Sequence, residues 1–220
     1  MTEKSVTRRP RVLVTGASGF VGGFVAEYLQ ANGFEVHGAY RSGASIGPSS
    51  VARIAAPDFG QHFDAEPLVR GMDHVVHLAG LAHATSSIPE ASYLAVNARP
   101  AGQLALAARE AGVKRFVFMS SVRAQTGPSA LGIITEAQTP APTDAYGRSK
   151  LAGEQMVMDA LGGSPTASVV LRPVLVYGPG VKGNMAALMR LARSPWPLPV
   201  AGFNARRSLV SRTNLASAVL

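Results

Sequence analysis

Arg11-Val-Leu-Val-Thr-Gly16-Ala-Ser-Gly19-Phe-Val-Gly22 is the stretch that decides the fold. Its first five residues form a short β-branched strand, and the glycines lead into an amphipathic stretch from Phe20 to Ala31 that Gly33 ends. Glycines in a strand-to-helix turn let the backbone come close to a pyrophosphate. The helix start then meets that anion with free N–H groups and the positive end of its dipole. The spacing is Gly-x-x-Gly-x-x-Gly, not the Gly-x-Gly-x-x-Gly of ordinary dinucleotide dehydrogenases. Gly16, Ser18, Gly19, Phe20, Val21 and Gly22 are therefore candidate dinucleotide-binding residues.

Working outward, strand patterns are expected at 34–40, 51–56, 73–79, 115–120 and 168–173, with helices at 63–70, 91–111 and 144–161. Strands alternating with helices over this length predict an α/β fold, a doubly wound parallel sheet covered on both faces. Residues 1–10 read as a flexible tail, 11–175 as the dinucleotide-binding domain, and 122–143 as a Pro/Gly-rich loop. From 176 to 220 the pattern is broken by Gly178-Pro-Gly180 and Pro195-Trp-Pro-Leu-Pro199, with a helix expected at 184–193. This segment reads as part of a small substrate lobe. The chain stops at Leu220, inside a helix beginning at Thr213 or Asn214, which reads as a chain that ends early.

Composition narrows the function classes. Of 220 residues 47% are apolar and 15% charged, a globular balance rather than a disordered one. There is no cysteine, which removes disulfides, thiolate metal sites and cysteine nucleophiles together. The net charge of +8 has no basic run interleaved with aromatics, so nucleic acid is not the expected partner. No apolar stretch approaches a membrane span, and the polar start is not a signal peptide, so a cytoplasmic protein is expected. The five histidines lack metal-ligand spacing with carboxylates. His83, in a loop after the fourth strand, is the one placed to reach a substrate.

Tyr146-Gly-Arg-Ser-Lys150 sets a phenol and an ammonium at i and i+4 on one helix face. A phenol is a poor acid or base at neutral pH, and a nearby cation is expected to lower its pKa toward the working range. Ser120 and Ser121 stand at the carboxyl end of a strand, where open α/β sheets keep their sites. At the end of the second strand, an acid would bind a ribose 2′-hydroxyl and an arginine would suit a 2′-phosphate. Tyr40-Arg41-Ser42 holds that place, which favours NADP over NAD.

These residues, together with Leu78-Ala79-Gly80, Asn97 and Arg172-Pro173, resemble the extended short-chain dehydrogenase/reductases. The resemblance runs from Arg11 onward and is closest to the NAD(P)-dependent nucleotide-sugar epimerase, dehydratase and reductase branch. It implies a Rossmann-type fold, with Tyr146 as acid/base, Lys150 lowering its pKa and holding the ribose, and Ser121 orienting the substrate oxygen. It also implies Asp58-Phe59 at the adenine, although Pro57 stands where the family carries glycine, and Leu78, Ala79 and Gly80 beneath the cofactor. Asn97 and Ser120 join the cofactor set, and Pro173 lies near the nicotinamide. Asn184 and Arg207 match the family's positions for the substrate diphosphate.

The departures choose among reactions. Val122-Arg123 stands where the dehydratases of the family carry an Asp-Glu pair, so elimination of water lacks its acid and base. Leu175 replaces an asparagine common in epimerases and dehydratases. What remains is epimerisation at C4 of a UDP-sugar or reduction of a 4-keto sugar by NADPH, in an expected homodimer. The alternatives are a reductase of another small carbonyl compound and a non-catalytic dinucleotide sensor on the same fold.

Overall fold

The structure, a computed structural model, describes residues 8–41, 51–81, 88–130, 132–181, 183–193, 195 and 206–220. Six strands form one parallel sheet in the order β3-β2-β1-β4-β5-β6, the doubly wound order in which the direction of winding reverses at β1. They are β1 (Arg11–Thr15), β2 (Glu35–Tyr40), β3 (Ala52–Ala55), β4 (His74–His77), β5 (Arg115–Met119) and β6 (Ala167–Leu171). Alternation along each strand divides the core. Leu13, Val75, Phe116 and Phe118 face one side, and Val12, Val14, Val76, Val117 and Met119 face the other.

The first side packs against α4 (Arg99–Glu110) and α6 (Ala145–Leu161) through Leu104, Ala105, Ala108, Val157 and Leu161. The second packs against α1 (Phe20–Ala31) through Val25, Ala26 and Leu29. Full burial of one such side chain contributes roughly 1.5–3 kcal/mol, so both faces hold the sheet. The helix α8 (Arg212–Val219) also joins the α1 side, with Leu215, Ala216 and Val219 in that core. The guanidinium of Arg212 lies 4.3 Å from the centroid of the Phe24 ring. Among the described residues, no helix is long and apolar enough to cross a membrane.

Several boundaries differ from expectation for identifiable reasons. The helix expected at 63–70 shrinks to α2 (Glu66–Val69), because Phe63 and Ala65 turn into the core ahead of it. The stretch expected as one helix at 91–111 is α3 (Glu90–Tyr93), a π-helical turn (Leu94–Ala98) and α4. Pro100 has no N–H to give to the preceding turn, which fits the widening there. A short helix, α5 (Val122–Gln125), opens the loop expected at 122–143. Past β6, β7 (Leu175–Tyr177) pairs in parallel with β8 (Leu209–Ser211), and α7 (Gly183–Ala192) lies between them in the chain. At the other end, Arg8 reaches the Asp73 carboxylate at 2.8 Å and the Pro10 carbonyl accepts from Glu35, so residues 8–10 lie along the sheet.

Candidate active site

The turn after β1 is built so that backbone can pack on backbone. Gly16 has φ +70°, and a Cβ there would stand 2.8 Å from the Ala79 nitrogen. A Cβ on Gly22 would run into the Gly16 carbonyl oxygen. The first turn of α1 has no side-chain cap and no acid, and Gly19, its N-cap, offers only backbone. A helix start left in that state suits a bound anion. These features fit the pyrophosphate of a dinucleotide.

Leu78-Ala79-Gly80 connects this turn to the helix that carries Tyr146. Ala79 donates to Thr15 Oγ1 at 3.2 Å, and Thr15 Oγ1 shares a 2.7 Å hydrogen bond with His77 Nδ1. A Cβ on Gly80 would stand 2.7 Å from Asn97 Oδ1 and 3.3 Å from Lys150 Nζ. The glycine thus leaves room where the two ends of the site meet. His77 is buried between the rings of Phe59 and Phe118, and burial followed by the Lys150 charge lowers its pKa to about 3. It is therefore neutral at physiological pH.

Tyr146 lies in the first turn of α6, and the Ser121 hydroxyl stands on the side of its phenol where it favours the phenolate. Lys150, one turn further, donates to the Met119 carbonyl at 2.9 Å and is fully buried. Burial lowers its pKa to about 8, with the Glu154 charge pulling upward. Pro173 meets the same corner, its carbonyl accepting from Val122 N at 3.0 Å. Ser121, Tyr146, Lys150, Gly80 and Pro173 are thus brought to the carboxyl edge of β4, β5 and β6.

One electrostatic expectation is corrected. The Tyr146 phenol is raised rather than lowered: burial is the largest cause, the Ser121 hydrogen bond and the Arg123 charge oppose it, and Asp144 and Tyr93 add to it. Lys150 is engaged with Met119 instead. A half-buried phenol held protonated in this way is ready to give a proton to an oxygen brought beside it.

Three other expectations are redirected. The Ser120 hydroxyl donates to Glu154, which is also paired with Arg172, while Arg172 donates to Gln125. Ser120 belongs to a buried network beneath the site rather than to the cofactor face. Asn97 accepts from Leu81 N at 2.7 Å and donates to the Leu81 carbonyl and Ser149 Oγ. It therefore fixes the loop after β4 onto α6. The Phe59 side chain turns into the core against Phe63, which leaves exposed Asp58 at the surface beside it.

Arg41 is exposed just beyond β2, and Arg53 lies 3.9 Å over the centroid of the Tyr40 ring. Ser18 is exposed in the glycine turn, Phe20 and Val21 are half-buried, and Arg207 is exposed ahead of β8. His83, Trp196 and the side chain of Asn184 lie outside the described residues. Sequence reasoning missed the parts played by Thr15, Asp144 and Arg123. For Asp144 the signal was present, an aspartate immediately before a helix.

Comparison with known proteins accords with this geometry. The profile of the NAD dependent epimerase/dehydratase family matches residues 12–220. The chain belongs to that family. A UDP-glucose 4-epimerase of Vibrio cholerae is 33% identical over 215 residues, covering 95% of this chain and 65% of that protein. A ceramide reductase of Caulobacter vibrioides is 28% identical, over 90% of this chain and 56% of its own length. The chain thus spans between about half and two thirds of these curated relatives. Among solved structures, MoeE5 in complex with UDP-glucose and NAD superposes with a TM-score of 0.80 at 28% identity, covering 95% of this chain and 70% of that one.

Proposed function

We propose that this protein is an enzyme that binds a nicotinamide dinucleotide and acts at C4 of a UDP-sugar. The observation that carries this reading is the Ser121 hydroxyl beside the half-buried Tyr146 phenol, at the strand ends and within one helical turn of Lys150. The names of the relatives support the substrate class, since UDP-glucose 4-epimerases recur among them.

In this reading Gly16, Gly19 and Gly22 hold the pyrophosphate at the start of α1, and Leu78-Ala79-Gly80 lines the path toward Lys150. The dinucleotide, when bound, supplies a hydride acceptor and donor. Ser121 orients the sugar's C4 oxygen, and Tyr146 holds or releases the proton on that oxygen. Lys150 presents an ammonium from within hydrogen-bond reach of the β5 end. Asn184 and Arg207 are assigned to the substrate diphosphate, where a guanidinium matches phosphate geometry. His83 is assigned to the sugar.

Reduction of a 4-keto sugar by NADPH is the second reading, and it rests on one observation. The end of β2 carries Arg41, with Arg53 stacked beside it on Tyr40, where an acid would favour NAD. A homodimer is proposed through α4 and α6, whose outer faces leave Leu106 and Met156 exposed between Arg99 and Asp159. Denaturing the purified protein and identifying the released cofactor tests the first reading against the second. Bound NAD with interconversion of UDP-glucose and UDP-galactose, or of their N-acetyl forms, supports epimerisation. Binding of NADPH in preference to NADH supports reduction. Binding of neither overturns both.

A further inference from the structure

Ser121 and Tyr146 reach each other from separate elements, joined by a long loop rich in proline and glycine. What holds them is a chain of caps. Ser121 Oγ accepts from Arg123 N at 3.2 Å and so caps α5. Asp144 Oδ1 accepts from Gly147 N at 2.9 Å and so caps α6. The Arg123 guanidinium joins the two, with Nε at 3.0 Å and Nη2 at 2.6 Å from Asp144 Oδ2. The backbones already touch here, since a Cβ on Gly147 would overlap the Arg123 carbonyl.

We propose that Arg123 is the positioning residue of the site: it locks the cap of α5 to the cap of α6, holds the Ser121 hydroxyl against the Tyr146 phenol, and places a fixed positive charge beside that phenol. The inference rests on the reading above for the roles of Ser121 and Tyr146, and extends it to Arg123. The side chains of Arg123 and Asp144 are each about three-quarters shielded, at 26% and 24% exposure, so their charges are not dispersed into bulk water.

The groups facing the phenol divide by sign. Ser121 and Arg123, from the β5–α5 corner, favour the phenolate, and Asp144 and Tyr93 disfavour it. Tyr93, at the end of α3, meets the Tyr146 ring edge-on at a centroid distance of 6.3 Å. Lys150, one turn along α6, is bonded to Met119, and Arg148 is tied to Glu90 by two 2.7 Å bonds. Removing the Arg123 charge leaves the Asp144 carboxylate beside the phenol, and both changes act in the same direction.

The test reads the phenol itself. The protein has five tyrosines, and the difference between wild type and Tyr146→Phe in phenolate absorbance isolates Tyr146. The full chain is titrated by rapid pH jumps, so that the signal is read before unfolding. Arg123→Gln, which keeps a hydrogen-bond donor toward Asp144, is expected to raise the Tyr146 midpoint by roughly one pH unit. Arg123→Lys, which keeps the charge, is expected to return most of that shift while lowering turnover, because a single ammonium cannot reproduce the two-nitrogen contact. An unmoved midpoint in Arg123→Gln, or a Lys variant no closer to wild type than the Gln variant, overturns the proposal. Should Arg123→Gln not fold, Arg123→Lys measured against Asp144→Asn decides: equal midpoints in the two overturn it. Failure of the wild type to turn over any nucleotide sugar would sink the functional reading and leave this titration intact.

Discussion

The helices α1 and α6 begin at the same edge of the sheet, and their first turns are finished in opposite ways. The start of α1 has glycine at its N-cap, no side-chain acceptor and no acid in its first turn. The start of α6 is closed by Asp144, and that carboxylate is held in turn by Arg123. A helix needs its leading N–H groups satisfied, by its own side chains or by a ligand. The molecule leaves them open at the turn proposed for the pyrophosphate and closes them beside the tyrosine proposed as acid/base. In the proposed reading the cofactor and the acid/base group thus take two helix starts that are finished in opposite ways.

The sharpest way to break this arrangement is at Gly22. Gly22→Ala drives a methyl group into the Gly16 carbonyl, displacing the first turn of α1 from β1. Overpacking of that kind costs roughly 3 kcal/mol, and dinucleotide affinity is expected to fall roughly 100-fold. Thermal unfolding and NAD(P) titration measure the two effects. Affinity within threefold of wild type would show that the anion does not use this turn.

Lys150 sets the energetics of the α6 side. Its ammonium is fully buried and its pKa is lowered to about 8, against an ordinary 10.5. Between these values the folded chain binds fewer protons than the unfolded one, so the cost of burying the charge is felt in full below pH 8 and eases as the pH rises toward 10.5. Lys150→Met is therefore expected to stabilise the protein by roughly 1–3 kcal/mol at pH 7, with the advantage shrinking above pH 8. Turnover is expected to be lost, and wild-type turnover to decline as the pH passes about 8. Denaturant unfolding at pH 7 and pH 10 checks the first part. A Met variant less stable than wild type at pH 7 would place the value of Lys150 in its bond to Met119.

Much of this contrast could be read from the chain, and the unread part has a physical explanation. The Phe20–Ala31 helix was bounded by Gly19 and Gly33, and the Ala145–Leu161 helix began after an aspartate, signals that act within one turn. The pairing of β7 with β8 joins two three-residue segments more than thirty residues apart, too short to show a period. Ser120 was legible but misread. Phe116, Phe118 and Ser120 are spaced by two, so the serine continues the face that packs against α6, where Glu154 waits. The pairing of Arg123 with Asp144 could not be read, because the two lie 21 residues apart across an irregular loop.

Closing the α1 start as α6 is closed gives a gentler test. At Gly19 the backbone is extended, with φ −82° and ψ 165°, so an aspartate is sterically allowed and can cap the turn. Gly19→Asp is expected to leave the stability of the unliganded protein within roughly 0.5 kcal/mol of wild type, the gained cap offsetting a tight contact with the Gly16 carbonyl. Dinucleotide affinity is expected to fall at least roughly tenfold, because a carboxylate then competes for the phosphate position. The variant separates stability from binding, which Gly22→Ala does not. Equal affinity in wild type and variant would mean that the uncapped helix start is not used.

Opening the α6 start completes the exchange, and no direct loss of dinucleotide affinity is expected from it. Asp144→Ala removes both the cap on Gly147 and the bond to Arg123, and is expected to cost roughly 1–2 kcal/mol. Asp144→Asn, which can still accept from the helix, should recover about half of that. The pH dependence follows from the direction of the shift. Burial raises the Asp144 pKa, but the Gly147 bond and the Arg123 pair outweigh it and hold the group below the ordinary 3.8. Its contribution is therefore complete above that value and disappears as the pH falls through the lower, folded-state pKa. Wild type and Asp144→Asn should thus converge in stability as the solution is acidified below pH 4. A gap that persists at the lowest pH where both remain folded would show that the carboxylate charge is not what holds α6 to α5, and that the cap alone fixes Tyr146.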